Sequence, residues 1–140
     1  MEELDHLHFT INAKINPKFS EITKDMAQSF IKDLLRVTDM KPLGPLNWSD
    51  AEDLDFPGQS FVQMITTSHT SLHYFSDKQE IYFDLYSCKV FDTKKVFDLL
   101  DRTFNILEWH GTMYFRAKNE EPKVEVLGSK IMKELAVNKH

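Results

Sequence analysis

A hydroxyl, imidazoles and a thiol fall close together in one part of this chain. Ser68 lies in the stretch Gly58–Phe75, GQSFVQMITTSHTSLHYF, with His69 beside it and His73 five residues on. Cys88, the one cysteine, ends the next apolar segment, IYFDLYSC. A serine is a weak nucleophile unless a neighbour activates it. No GxSxG elbow surrounds Ser68, so a hydrolase triad has little support. His69 and His73 would share a metal ion if they stood four apart on a helix. The segment is β-branched and aromatic and reads as strand, where four residues span about 13 Å. The two rings therefore cannot share one ion, and Cys88 alone completes no metal site. A lone cysteine is by default a buried apolar side chain. Cys88, however, stands at a strand end, on the side of Asp84 and Tyr86, where a thiol can serve as a proton donor.

Strands must hold these groups. Residues 59–66, 69–76 and 79–88 read as three strands, and the short Ser76-Asp77-Lys78 joins the last two as an antiparallel hairpin. Ahead of them, residues 7–15 alternate cleanly: Phe9, Ile11, Ala13 and Ile15 face one way, His8, Thr10, Asn12 and Lys14 the other. Asn16-Pro17 predicts a helix start, and Phe19, Ile22, Met26, Phe30 and Leu34 form its apolar stripe, ending near Val37. Residues 39–58 carry Pro42, Pro45 and Pro57 with an acidic string and predict a long exposed loop. Pro42 and Pro45 demote Lys41–Trp48 to a short edge strand at most. Asp92 predicts the cap of a second helix with Val96, Phe97, Leu99, Leu100 and Phe104 on its apolar face. Ile106–Lys118 reads as a last strand with Leu107, Trp109, Met113 and Phe115 on one face and a bulge at Gly111. Residues 119–128 read as a loop and Ser129–Asn138 as a weak terminal helix.

The resulting class is α+β, an α/β two-layer sandwich whose antiparallel sheet has two helices on one face. The central strands are apolar on both sides: Val62 and Met64 oppose Phe61 and Ile65, and Tyr82 and Tyr86 oppose Ile81 and Phe83. The second face needs a cover: a partner protomer placed sheet against sheet is the simplest, predicting a homodimer, and the long 39–58 loop folding over that face is the alternative.

Composition narrows the function classes. One hundred and forty residues suffice for a single domain, 1–140, whose core needs no disulfide. Apolar residues at 41% exclude a disordered chain. A net charge of −5 argues against nucleic acid or an anionic membrane as the main partner, since both select basic surfaces. The start, MEELDHLHFT, lacks the features of a signal peptide, and no apolar run is long enough to span a membrane. With one cysteine and no internal disulfide, the expectation is a soluble, cytoplasmic protein.

The stretch GQSFVQMITTSHTSLHYF followed by IYFDLYSC resembles the core of the small prokaryotic S-adenosylmethionine decarboxylase proenzymes. Those have a Gly-x-Ser turn, a strand, Glu-Ser-His, a histidine five residues past that serine, and a strand ending in Asp-x-x-[Thr/Ser]-Cys. Ser60, Ser68, His73 and Cys88 agree with that order and spacing. The resemblance implies self-cleavage between Thr67 and Ser68, leaving a β-chain of 1–67 and an α-chain of 68–140. Ser68 would become a pyruvoyl group, the self-made cofactor, which forms a Schiff base with the substrate amine. Ser60 and His73 would assist processing, and Cys88 would return a proton to the substrate. Implied with these are S-adenosylmethionine as substrate, a role in polyamine (spermidine) biosynthesis, and no metal. Phe9 and Tyr74 are aromatic rings of a kind that stacks on adenine.

The chain departs from the pattern at Thr67, where the family has Glu, at Phe61 and Lys89, where it has Gly, and over His73–Asp77, where it has His-Thr-Trp-Pro-Glu. Alternatives are decarboxylation of another amino acid, arginine or ornithine, and a non-processing binding or regulatory relative.

Overall fold

The structure, a computed structural model, describes residues 5–18, 22–52, 54–116 and 123–129. In chain order the elements are β1 (Leu7–Ile15), α1 (Lys24–Thr38), β2 (Asn47–Asp50), β3 (Gly58–Ile65), β4 (Ser68–Phe75), β5 (Glu80–Ser87), α2 (Thr93–Phe104), β6 (Ile106–Phe115) and β7 (Lys123–Ser129). The strands form one sheet in the order β2-β3-β4-β5-β1-β6-β7, and each neighbouring pair is antiparallel. The three strands and two helices expected around the reactive residues are present, each within a residue or two of its expected limits except at the start of α1.

One sheet face carries the core. β1 alternates cleanly: Leu7, Phe9, Ile11, Ala13 and Ile15 are buried, and the residues between them are not. Leu72 and Tyr74 of β4 and Ile81, Phe83 and Leu85 of β5 continue the same surface. Both helices lie on it. Phe30 of α1 meets Phe61 of β3, Phe83 of β5 and Phe104 of α2 at ring-centroid distances of 6.1, 5.9 and 5.7 Å. Phe97 of α2 meets Trp109 of β6 at 4.7 Å. Aromatic pairs at these separations add to the burial of their apolar area.

Helix α1 begins later than Asn16-Pro17 suggests. Its cap is Thr23, whose hydroxyl accepts from the Met26 amide at 3.1 Å. Asn16 instead turns its side chain to the Lys18 amide, a local turn that competes with a helix start. Ile22 is buried ahead of the helix, and Phe19 lies outside the described residues. Asp92 caps α2 as expected, accepting from the Lys94 and Lys95 amides.

At the sheet margins the structure corrects the sequence reading. The 39–58 segment holds an edge strand, but at Asn47–Asp50, beyond both prolines. Two buried glutamines of β3 tie this segment down. Gln59 donates to Glu52 at 2.8 Å and accepts from the Ile22 amide at 3.1 Å; Gln63 donates to the Gly44 carbonyl at 3.0 Å. Part of the expected 119–128 loop is strand β7, paired with β6 over residues 123–129. The expected terminal helix beyond Ser129 lies outside the described residues.

In β6 the irregularity against β1 falls at Leu107, because Lys14 pairs with Glu108 and Ile15 with Ile106. The extra residue turns Ile106 into the core and Leu107, expected inside, out to solvent. Gly111 pairs regularly with Ile11 of β1, and the register break beside it lies on the β7 side. The reason for glycine is room: a Cβ there would meet the Trp109 ring at 2.4 Å.

Candidate active site

Ser68 stands at the tip of the β3–β4 hairpin. Ile65 pairs with Ser68, so Thr66 and Thr67 form a two-residue loop. Of these only Thr67 has positive φ, at 57°. A type I′ turn would put both there, usually with Asn or Gly. The other positive-φ residues other than glycine among those described are Asp39, Gln79 and Asn105, which lack branching at Cβ. A β-branched residue in this region is an outlier and stores on the order of 1–3 kcal/mol. The strain sits on the residue that gives the Thr67–Ser68 peptide its carbonyl.

Cys88, one residue past β5, meets this tip. The Thr67 hydroxyl lies 2.7 Å from the Cys88 sulfur and the same distance from the Thr66 carbonyl. The Cys88 amide donates to the Ser68 hydroxyl oxygen at 3.0 Å. Ser68 is 4% exposed, so its oxygen is a buried group with a fixed partner. Partial burial alone would push the Cys88 thiol up. Hydrogen bonds from Thr67, Ser68 and the backbone, with the Lys89 charge, bring it below the ordinary thiol value. Lys89 also anchors this end of β5 by reaching back to the Asp39 backbone carbonyl and carboxylate at the end of α1.

Ser60 and His73 form a second group. They are directly opposite in the β3–β4 ladder, and Ser60 Oγ lies 2.7 Å from His73 Nδ1. His73 is five residues along β4 from Ser68. That is about 17 Å of strand, and an odd step puts the two side chains on opposite sheet faces. Within one chain the four spaced residues thus fall into two groups: Ser68 and Cys88, with Thr67, at the hairpin tip, and Ser60 with His73 on the open face. Beside His73, Phe75, Lys78, Glu80 and Tyr82 line a cavity of about 270 Å³. Phe9 and Tyr74 are buried in the core and present no ring to a ligand.

The open face holds a cluster that sequence reasoning did not assemble. His8 Nε2 lies 3.1 Å from Asp84, which also accepts from the Ser71 hydroxyl at 2.7 Å. Burial would raise the Asp84 carboxyl; the His8 and Ser71 hydrogen bonds, with His8 and His69 charge, hold it below the usual carboxylate range. Tyr86 stacks on His69 at 5.4 Å, its hydroxyl meets His6 at 2.6 Å, and Arg116 lies over its ring. The signal was the alternation of His6-x-His8 and Asp84-x-Tyr86. It becomes readable only once the register pairs His8 and His69 with Tyr86.

The family profile described as S-adenosylmethionine decarboxylase matches residues 20–117. Among solved structures, the chain is similar to the adenosylmethionine decarboxylase from Aquifex aeolicus. The TM-score is 0.67 at 12% identity, covering 87% of this chain and 100% of that one. None of the curated proteins matches the sequence. At that identity the structural likeness speaks for the fold, and the family profile speaks for the relationship. This chain belongs to the S-adenosylmethionine decarboxylase family.

Proposed function

We propose that the chain is a self-cleaving, pyruvoyl-dependent decarboxylase of S-adenosylmethionine whose product feeds polyamine synthesis. The observation that carries this reading is the strained Thr67–Ser68 junction, with a buried hydroxyl after it and a thiol against it. In cleavage the Ser68 oxygen adds to the Thr67 carbonyl and the amide nitrogen leaves it, giving an ester. Loss of the Ser68 α-proton then breaks the C–O bond, so Thr67 keeps a carboxylate and Ser68 becomes a dehydroalanyl residue. Water replaces its nitrogen, which departs as ammonia. Relief of the Thr67 backbone favours the first step, and a fixed hydroxyl has a large effective concentration.

The residues present suit such a group. The Cys88 amide already donates to an oxygen at position 68, and the Cys88 sulfur lies against the same turn. A pyruvoyl carbonyl supplies an electron acceptor for loss of carbon dioxide from a bound amino acid. Cys88 holds the proton that replaces the carboxylate.

Ser60 and His73 supply an imidazole for proton transfer during processing. Their distance from Ser68 along the same hairpin supports action on the hairpin tip of a second copy, in a homodimer closed over the open sheet face. The exposed Met64 and Tyr82 of that face gain cover from the same arrangement.

Denaturing electrophoresis tests the reading. Wild-type protein is expected to run as two fragments, 1–67 and 68–140, and Ser68→Ala as one intact chain. Carbon dioxide release is expected from carboxyl-labelled S-adenosylmethionine and not from arginine or ornithine. Wild type that stays whole overturns the proposal, and release from arginine or ornithine alone replaces the substrate.

A further inference from the structure

The contact between Thr67 and Cys88 joins a residue that scission alters to the residue that must carry a proton. Thr67 Oγ1 has one hydrogen and two acceptors at 2.7 Å, the Thr66 carbonyl and the Cys88 sulfur. When that hydrogen turns to the sulfur it stabilises a thiolate. When Cys88 is protonated, its own hydrogen can lie on Oγ1, and the Thr67 hydrogen turns to Thr66. Ser68 supplies a second hydroxyl beside Cys88, and Lys89 a positive charge. In the uncut chain these groups all favour the thiolate.

We propose that Thr67 is a positioning residue that sets the protonation of Cys88: its hydroxyl holds the sulfur in the uncut chain, and the carboxylate that scission leaves on it places a negative charge beside the thiol. This rests on the proposed cleavage. Scission consumes the Ser68 hydroxyl and creates an anion on Thr67 itself. Both changes act in one direction, towards a protonated thiol. The proton donor is thereby charged with its proton by the event that makes the cofactor. The family's Glu at this position offers no hydroxyl, so the hydroxyl's hold on the sulfur belongs to this chain's threonine.

Other titratable groups lie beside Cys88 in the chain or further along the sheet. Lys89 is paired with Asp39 from α1. Along the open face stand Tyr86, His69 opposite it, and then His6, His8, Asp84 and Arg116. They are the same in every form compared below, so they shift the absolute midpoint and not the differences.

Cys88 is the one cysteine, so alkylation by iodoacetamide reads it alone. The midpoint of alkylation rate against pH is compared, so altered access does not enter. In the uncut Ser68→Ala protein, adding Thr67→Val is expected to raise the midpoint by about one unit, roughly a tenfold loss of thiolate at neutral pH. Adding Thr67→Ser is expected to leave it in place. Thr67→Gly, which tolerates positive φ and so keeps the turn, is expected to match Thr67→Val. The processed wild type is expected to titrate above the uncut protein. A Thr67→Val midpoint equal to that of its parent overturns the hydroxyl's role. Processed and uncut thiols titrating together overturn the role of scission. A wild type that never cleaves overturns the scission half together with the proposed function, while the valine and glycine variants still decide the hydroxyl.

Discussion

The side chains of the open face are organised by charge as well as by register. Asp84 takes hydrogen bonds from His8 and Ser71, and these hold its carboxyl below its unfolded value of about 3.9. A carboxyl lowered in the folded state contributes stability that is fully present above the unfolded pKa and is lost as pH falls through the folded one. Asp84→Asn is therefore expected to lower the urea midpoint at pH 7 and to approach wild type as the pH is taken below 4. An equal deficit at pH 7 and pH 3 would show that the carboxylate charge is not the source. At this scale the sequence was legible in part. Residue type and spacing pointed to Ser68, His73 and Cys88, and the family resemblance added Ser60 and the Thr67–Ser68 bond. Neither showed the strain at Thr67 or its contact with Cys88, because its φ of 57° and that contact depend on where β3 ends and β5 stops.

Elements were easier to read than their ends. Period-two alternation found β1 and β5, because one buried face forces it, and β-branched and aromatic residues found β4. The start of α1 was missed because Asn16 and Thr23 both suit a cap and only packing decides between them. β7 was missed because its described side chains, Lys123–Val126, are exposed, so no buried face imposed a pattern. The hairpin carrying the candidate site depends on a close approach at its base. A Cβ on Gly58 would sit 1.7 Å from the Tyr74 carbonyl oxygen, across the ladder from β3 to β4. Gly58→Ala is expected to destabilise the fold by about 2 kcal/mol or more, as overpacking against backbone does. It should also loosen the Ser60–His73 pair two residues away. A thermal melt within a degree or two of wild type would contradict this reading. On α2, Asp92→Ala removes a cap that accepts from two amides, and about 1 kcal/mol of stability is expected to go with it.

At the scale of the molecule, one sheet face is closed by α1 and α2, and the other carries imidazoles, a carboxylate and exposed Met64 and Tyr82. Among the described residues, no helix is long and apolar enough to cross a membrane. The sequence showed that the second face was unusual, since Val62, Met64, Tyr82 and Tyr86 interrupt a polar alternation, but a single chain cannot specify its cover. If a second copy provides it, the Ser60–His73 pair of one chain serves the Thr67–Ser68 bond of the other. Coexpression of Ser68→Ala with His73→Ala is then expected to restore cleavage of the His73→Ala chain, which stays whole when expressed alone. No rescue on mixing would place the pair's action within its own chain or outside processing altogether.

The central claim is that the Thr67–Ser68 bond rearranges through the Ser68 oxygen and leaves a ketone. Intact-mass measurement of freshly purified protein tests it most directly. The account predicts a fragment 68–140 lighter by one ammonia than a serine-initiated chain, gaining two hydrogens on borohydride treatment. A single full-length mass unchanged by borohydride, or a fragment beginning with ordinary serine, would contradict it.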